Sequence, residues 1–158
     1  MKFIYLDNAA TTRVHPTVAK VMHEVMTAQY GNPSSPHVLG EGALNLISTA
    51  RQRIATIIYA KPEELVFTSG ATEANALALF GLAGMYPDKK RIVISAFEHS
   101  SIKEVCGMLQ GWGYEIVEVP VGSDGLLNMG ELNKAITSDT LVVSVIQGNN
   151  ELGVVQDI

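Results

Sequence analysis

The first third of the chain shows the apolar spacing of two helices. Pro16 stands where the first helix begins, a position at which its missing N–H costs no helical hydrogen bond. The second helix is longer and should extend from about Leu39 to Ile58, after a loop over residues 30–36 that is rich in Gly, Pro, Asn and Ser. A short extended piece over residues 4–6 precedes both helices. The apolar positions recur every three or four residues, as on a helix face that packs on a core: Val18, Val21, Met22, Val25 and Met26 in the first helix, and Leu39, Ala43, Leu46, Ile47, Ala50, Ile54, Ile57 and Ile58 in the second.

From residue 65 onward, compact apolar runs alternate with stretches of helical spacing. Uninterrupted apolar runs are typical of buried strands in a parallel sheet, and the amphipathic stretches between them are typical of helices that cover it. The pattern therefore predicts an α/β fold with a mainly parallel sheet flanked by helices. We expect strands at residues 65–68, 91–95, 114–119 and 141–146, and helices at residues 72–85, 100–110 and 132–136.

Composition narrows the kinds of protein to which the chain can belong. The chain has 158 residues, of which 47% are hydrophobic and 17% charged, a composition typical of a globular chain with a core. A net charge of −5 without any basic cluster argues against nucleic acid or a membrane as a direct partner. No signal peptide or apolar stretch of roughly 20 residues is present. Cys106 is the single cysteine, so no disulfide can form within the chain, and we expect a cytoplasmic setting.

The turn at Ser69-Gly70-Ala71-Thr72 joins a predicted strand to a predicted helix. In parallel sheets, ligands collect beyond the carboxyl ends of the strands. A glycine permits a sharp or left-handed turn, and the free N–H groups of a first helical turn form a natural phosphate site. The hydroxyls of Ser69 and Thr72 could add donors. A capped turn without any ligand explains the same residues, and the pattern is neither a nucleotide P-loop nor a dinucleotide fingerprint.

Two further turns carry candidate residues. His99 follows the strand at residues 91–95 and could act as a general acid or base, stack on an aromatic ligand, or simply cap a helix. Its neighbour Glu98 is assigned no role. Asn149 and Asn150 follow the strand at residues 141–146, where asparagines are ordinary turn residues whose amides could also orient a polar ligand.

The remaining reactive side chains do not form a site by their spacing. Three other histidines lie in different kinds of segment, and a chain with one cysteine has little with which to bind zinc, so no metal site is expected. Cys106 lies inside a predicted amphipathic helix, where it is expected to be a small core residue rather than a nucleophile.

Five blocks, in order along the whole chain, together resemble one family. They are residues 5–12 (YLDNAATT), 31–35 (GNPSS), 66–75 (VFTSGATEAN), 98–99 (EH) and 149–158 (NNELGVVQDI). Their order and spacing resemble the cysteine desulfurases, which belong to the class-V aminotransferases among the fold-type-I enzymes of pyridoxal 5'-phosphate (PLP). Within that family the chain resembles the branch that serves iron–sulfur clusters and sulfur transfer to tRNA.

The resemblance implies an activity and its partners. A desulfurase is a homodimeric transferase that uses PLP to convert L-cysteine to L-alanine, and it passes the sulfur through an enzyme persulfide to an acceptor or scaffold protein. Two alternatives stay open: another class-V PLP enzyme, such as an aminotransferase or selenocysteine lyase, or a non-catalytic fragment or subunit. A simple phosphate-binding module would rest on the first turn alone.

The resemblance also implies roles for individual residues. Ala71 and Thr72 would bind the PLP phosphate through backbone N–H groups and the Thr72 hydroxyl. His99 would stack on the pyridine ring and assist proton transfers, and Asn150 would bond near the phenolic oxygen and help to orient the substrate carboxylate. Residues 15–158 would form the first part of the large PLP-binding domain of an aspartate-aminotransferase-like fold. Residues 1–14 would form an arm that packs with the small domain.

The chain departs from the family pattern in two ways. Gln147-Gly148 stands before the asparagine pair, where many relatives have histidine and a β-branched residue. The family's cofactor lysine, its pyridine-binding aspartate and its persulfide cysteine would belong to segments beyond Ile158. We therefore expect the C-terminal remainder of the domain to be missing and the 158 residues alone to be inactive. None of the seven lysines lies in the family's cofactor-lysine motif: Lys2, Lys20, Lys61, Lys89, Lys90, Lys103 and Lys134.

Overall fold

The computed structural model describes residues 4–158, which fall into two compact units that divide between Phe67 and Thr68. The described part of the chain contains no helix that is both long and apolar enough to cross a membrane. The first unit contains helices α1 (Pro16–Ala28) and α2 (Val38–Ile57) and a 3-10 turn (Pro62–Glu64). The second unit contains α3 (Ala71–Met85), β1 (Arg91–Ser95), α4 (Ser100–Gly111), β2 (Glu115–Val119), α5 (Met129–Ala135) and β3 (Thr140–Ser144).

Both helices of the first unit begin at a histidine that acts as the cap. His15 Nδ1 accepts a hydrogen bond from the backbone N–H of Thr17 at 3.3 Å, and His37 Nδ1 accepts one from Gly40 at 3.3 Å. These contacts satisfy N–H groups that have no partner within the helix. They account for two of the histidines that showed no metal-ligand spacing. A side chain at Gly31 would meet the Leu39 carbonyl oxygen at 2.2 Å, so only glycine fits where the loop approaches α2.

The predicted strand at residues 65–68 is not formed, and that prediction was wrong. Val66 and Phe67 are 68% and 48% exposed. A strand exists by pairing its backbone with a neighbour, and the three-stranded sheet of the described residues includes no pairing with this segment. An apolar run alone does not supply that partner. Residues 4–6, expected to be extended, also belong to no helix or strand.

The sheet of the second unit is parallel and has the strand order β2-β1-β3. The central strand β1 pairs with β2 from Arg91 to Ser95 without interruption, and it pairs with β3 after an irregularity at Arg91 and Ile92. Because β1 is bonded on both sides and covered on both faces, Ile92, Val93 and Ile94 are at most 1% exposed. The predicted α/β fold is confirmed.

Alternating side chains of β1 divide the interior into two cores. Ile92 and Ile94 face α3 and α4, whereas Val93 faces α5. The first core buries Leu79, Ala83, Ile102, Val105, Cys106, Leu109 and Tyr114, and the second buries Val119, Leu127, Leu132 and Ala135.

Tyr114 connects α3 to the start of β2. Its buried hydroxyl donates a hydrogen bond of 3.1 Å to the carbonyl of Ala83, in the last turn of α3. Carbonyls in a last helical turn have no partner within the helix, so the phenol satisfies a group that would otherwise be buried without one. The Lys90 ammonium lies 4.3 Å from the centre of the ring and adds a cation–π contact.

We predict that Tyr114→Phe lowers the free energy of unfolding by about 1 kcal/mol, because the Ala83 carbonyl loses its partner while the ring packing is kept. Urea unfolding followed by circular dichroism measures the change. Tyr86→Phe is the matched control, since Tyr86 is 51% exposed and should tolerate the change within about 0.5 kcal/mol. Equal stability of the two variants would contradict the assigned role of the phenol.

Candidate functional site

Two cavities in the second unit contain most of the predicted site residues. The larger has a volume of about 370 Å³, and its lining includes Ala71 and His99. The smaller, of about 170 Å³, is lined by His99 and Asn150 among others. His99 therefore lines both cavities, together with Ala71 of the first predicted turn in one and with Asn150 of the third in the other. Thr72 lines neither of these two cavities, although it follows Ala71 directly in the first turn of α3.

The start of α3 provides open space and unused donors. Gly70 has extended backbone angles (φ 167°, ψ −179°), so the sharp or left-handed turn that its glycine would permit is not present. A side-chain carbon at Gly70 would meet no atom within 4 Å. The first backbone N–H bonded back into the helix is that of Ala74, which donates to Gly70 at 3.1 Å. The amides of residues 71–73 therefore have no helical acceptor and can bind an anion.

The two hydroxyls that could add donors at this turn, those of Ser69 and Thr72, differ in whether they already have a hydrogen-bond partner. Ser69 donates both its N–H and its hydroxyl to one carboxylate oxygen of Glu73, at 2.6 Å each. These two hydrogen bonds lower the pKa of Glu73. The expected contribution of Ser69 to a ligand is therefore already taken up, whereas the exposed hydroxyl of Thr72 has no bonding partner among the described residues.

Glu98, to which the sequence assigned no role, joins the ends of two strands. Its carboxylate is buried, with the residue only 8% exposed. One oxygen accepts hydrogen bonds from the Ser95 hydroxyl at 2.6 Å and from the Ile146 backbone N–H at 2.5 Å. The other oxygen accepts from the Ser144 hydroxyl at 3.4 Å. The sequence shows that Ser95 and Ser144 stand at the ends of two apolar runs. It does not show that both bond to Glu98, because that depends on the pairing of the two strands.

His99 caps the helix that follows it. Its Nδ1 accepts a hydrogen bond from the backbone N–H of Ser101 at 3.1 Å and lies 2.9 Å from the Ser101 hydroxyl. The helix-capping interpretation of His99 is thus confirmed. Capping uses only Nδ1, so Nε2 stays available for contact with a ligand, and the catalytic role stays a prediction.

The two asparagines of the third turn do different things. Asn149 is 9% exposed, and its side-chain oxygen accepts hydrogen bonds from the backbone of Glu151 at 2.9 Å and Leu152 at 2.8 Å. Its amide donates to the Phe97 carbonyl at 3.2 Å, which attaches this loop to the turn before His99. Asn150 is exposed and lies at the smaller cavity. Asn149 therefore holds the loop together, whereas the ligand-binding role of Asn150 stays a prediction.

Two other reactive side chains lie on α4, those of Lys103 and Cys106, and the structure gives each a local structural explanation. The Lys103 ammonium donates to the Ala96 carbonyl at 2.7 Å, which accounts for its position one turn after His99. Cys106 is 2% exposed in the first core, and burial, reinforced by the charges of Glu98 and Glu118, raises the pKa of its thiol to about 11. Among residues 4–158, no group of three or more His, Cys, Asp or Glu side chains could hold a metal ion.

Comparison with known proteins identifies the family. The profile of the family described as aminotransferase class-V matches residues 4–158. The chain belongs to this family. It is 47% identical to the cysteine desulfurase IscS of Proteus mirabilis over 159 aligned residues, and 43% identical to a mitochondrial cysteine desulfurase of Arabidopsis thaliana over 155. These alignments cover 98% and 97% of the chain but only 39% and 34% of the two relatives, so the chain spans about two fifths of their length or less.

Solved structures agree with this result. A NifS-like protein superimposes with a TM-score of 0.89 at 36% identity, over 95% of this chain and 42% of that protein. A structure described as SspA in complex with cysteine gives a TM-score of 0.86 at 36% identity, over 94% of this chain and 43% of that protein. The resemblance to cysteine desulfurases is confirmed, and so is the fold that it implies.

We predict that Glu98→Gln lowers the free energy of unfolding by about 1–3 kcal/mol, because an amide NH₂ would replace one acceptor among three buried donors. Chemical denaturation measures the loss. Glu104→Gln is the control on the same stretch of chain, because Glu104 is exposed on α4 and should change stability by no more than about 0.5 kcal/mol. If both variants unfold at the same denaturant concentration, Glu98 does not join the two strands as described.

We also predict that Cys106 resists iodoacetamide in the native protein at about pH 8, because the reactive species is the thiolate and the pKa of this buried thiol is raised to about 11. Mass spectrometry of the peptide that contains Cys106 measures the modification. The same peptide should react completely after unfolding in urea. Similar modification rates in the native and unfolded protein would show that the thiol is exposed.

Proposed function

We propose that the protein containing this chain is a PLP-dependent cysteine desulfurase, which converts L-cysteine to L-alanine and passes the sulfur to a cysteine of the enzyme as a persulfide. The observation that carries the proposal is the position of His99, which lines two cavities. Ala71, in the first turn of α3, lines one of them, and Asn150 lines the other. Support also comes from the identity of 47% to a relative named as a desulfurase.

The chain's residues fit the phosphate of PLP. The amides of Ala71 and Thr72 and the Thr72 hydroxyl would hold the phosphate, and the open space at Gly70 leaves room for it. The positive end of the α3 dipole favours an anion at the same place. When bound, PLP supplies an electron sink for the substrate carbon that loses a proton.

Two residues would act beside the cofactor. His99 would lie against the pyridine ring, and its Nε2 would hold or release a proton during the reaction. Asn150 would donate its amide near the phenolic oxygen and orient the carboxylate of L-cysteine. Both residues are exposed, as groups that receive a ligand from solution must be.

The wider setting follows from the same proposal. L-cysteine would be the substrate, an acceptor or scaffold protein for iron–sulfur clusters or tRNA thiolation would receive the sulfur, and the full-length protein would be a cytoplasmic homodimer. Residues 15–158 would be the first part of the large domain, and residues 1–14 an arm on the small domain. The first three residues of that arm lie outside the described residues.

We predict that the full-length protein, with PLP and dithiothreitol, releases alanine and sulfide from L-cysteine in equal amounts. The reductant is needed because it converts the persulfide to sulfide and the free thiol. Amino-acid analysis and a sulfide assay measure the products. Formation of a keto acid instead would favour an aminotransferase, a strong preference for selenocysteine would favour a lyase, and no turnover with no cofactor trapped by borohydride would favour a non-catalytic subunit.

His99→Ala should lower kcat in the same assay by about 100-fold or more, because a positioned proton-transfer group contributes on that scale. His23→Ala is the control, since His23 is an exposed residue of α1. An unchanged kcat for His99→Ala would remove the proposed role of this histidine without affecting the identity of the reaction.

A further inference from the structure

A chain of polar side chains links α3 to His99. The Asn75 amide nitrogen lies 2.9 Å from the Ser101 hydroxyl oxygen, and that oxygen lies 2.9 Å from Nδ1 of His99. Ser101 is only 7% exposed, and Asn75 is partly buried. Asn75 comes from α3 and Ser101 from α4, so the contact exists only because the two helices pack together on one face of the sheet.

The direction of these hydrogen bonds follows from one group whose role is certain. A backbone N–H can only donate, and the N–H of Ser101 points at Nδ1 of His99 at 3.1 Å. Nδ1 must therefore be the unprotonated nitrogen. The Ser101 hydroxyl, at 2.9 Å from the same nitrogen, then has to donate to it. The Asn75 NH₂ donates to the Ser101 oxygen and leaves the hydroxyl proton free to point at His99.

This arrangement selects one form of the imidazole ring. In a neutral histidine one nitrogen carries the proton and the other accepts. With two donors aimed at Nδ1, the proton belongs on Nε2. We propose that Ser101 is a positioning residue that holds His99 as the Nε2–H tautomer, and that Asn75, by donating to Ser101 rather than accepting from it, keeps the Ser101 proton for the ring. The ring nitrogen left for a ligand then starts as a donor. The significance for catalysis rests on the proposed function, but the tautomer itself does not.

Asn75 and Ser101 have distinguishable effects. Ser101→Ala removes one donor, while the backbone N–H of residue 101 still donates to Nδ1 of His99, so that α4 stays capped. Asn75→Asp keeps the size of the side chain but offers only acceptors, so the Ser101 hydroxyl would turn toward residue 75 and away from His99. Asn75→Ala leaves the hydroxyl free to donate to the ring. Ser101→Thr retains the hydroxyl and serves as the conservative control.

The experiment is a long-range ¹H–¹⁵N correlation spectrum of the full-length protein labelled with ¹⁵N-histidine, at about pH 9, where histidine side chains are ordinarily neutral. His99→Gln identifies the signal. We expect the wild type, Asn75→Ala and Ser101→Thr to show the Nε2–H pattern. In Ser101→Ala and Asn75→Asp the ratio of Nε2–H to Nδ1–H should fall about five-fold or more, the effect of one lost hydrogen bond. Circular dichroism confirms that each variant is folded.

An unchanged ratio in both Ser101→Ala and Asn75→Asp overturns the proposal, as does an Nδ1–H pattern in the wild type. If Asn75→Asp does not fold, Ser101→Ala against Ser101→Thr decides the question alone. The desulfurase assay is a separate arm. In it, Ser101→Ala should lower kcat and leave KM for L-cysteine unchanged, whereas Ser101→Thr, which retains the hydroxyl, should keep the wild-type kcat. A wild type without desulfurase activity would defeat the proposed function, while the tautomer result would still stand or fall by the spectra.

Discussion

The buried carboxylate of Glu98 is the contact on which the site depends. Strands β1 and β3 are neighbours in the sheet, and both continue into polar turns that have to be held in one place. Glu98 connects them by accepting hydrogen bonds from Ser95 on one side and from Ser144 and Ile146 on the other. A buried carboxylate is unfavourable unless such donors surround it, so this geometry is the one that makes its burial possible.

The position of His99 follows directly from that contact. With Glu98 fixed between the strand ends, the next residue, His99, stands just before α4, and its imidazole becomes the cap of the helix. The same loop receives the amide of Asn149 at the Phe97 carbonyl, which brings the third turn alongside the second. The candidate ligand-binding residues Ala71, Thr72, His99 and Asn150 are exposed, whereas Glu98, Ser101 and Asn149, which bond to the loops around them, are buried. This difference in exposure has a physical reason. Hydrogen bonds shielded from water hold the loops in place, and a binding group has to be accessible to its ligand.

Much of the fold could be predicted from the chain alone. The strand at residues 91–95 and the starts of α1, α2 and α4 agree with the structure to within a residue, because proline at a helix start, apolar periodicity and buried runs are local signals. The segment at residues 65–68 has the same apolar composition and forms no strand, since pairing is not a local property. Gly70 shows a similar limit: its conformational freedom was visible, but its actual backbone angles are extended.

For the candidate site, the sequence by itself determined which residues stand in the turns before α3, after β1 and after β3, in what order, and that their motifs match the desulfurases. It therefore identified Ala71, Thr72, His99 and Asn150 as candidates. Only the tertiary structure decided that Glu98 bonds to Ile146, that Asn149 bonds to Phe97 while Asn150 is exposed, and that Asn75 reaches Ser101 across 26 residues of chain. Each of these hydrogen bonds joins residues that are distant in sequence, so each exists only after the strands pair and α3 packs on α4.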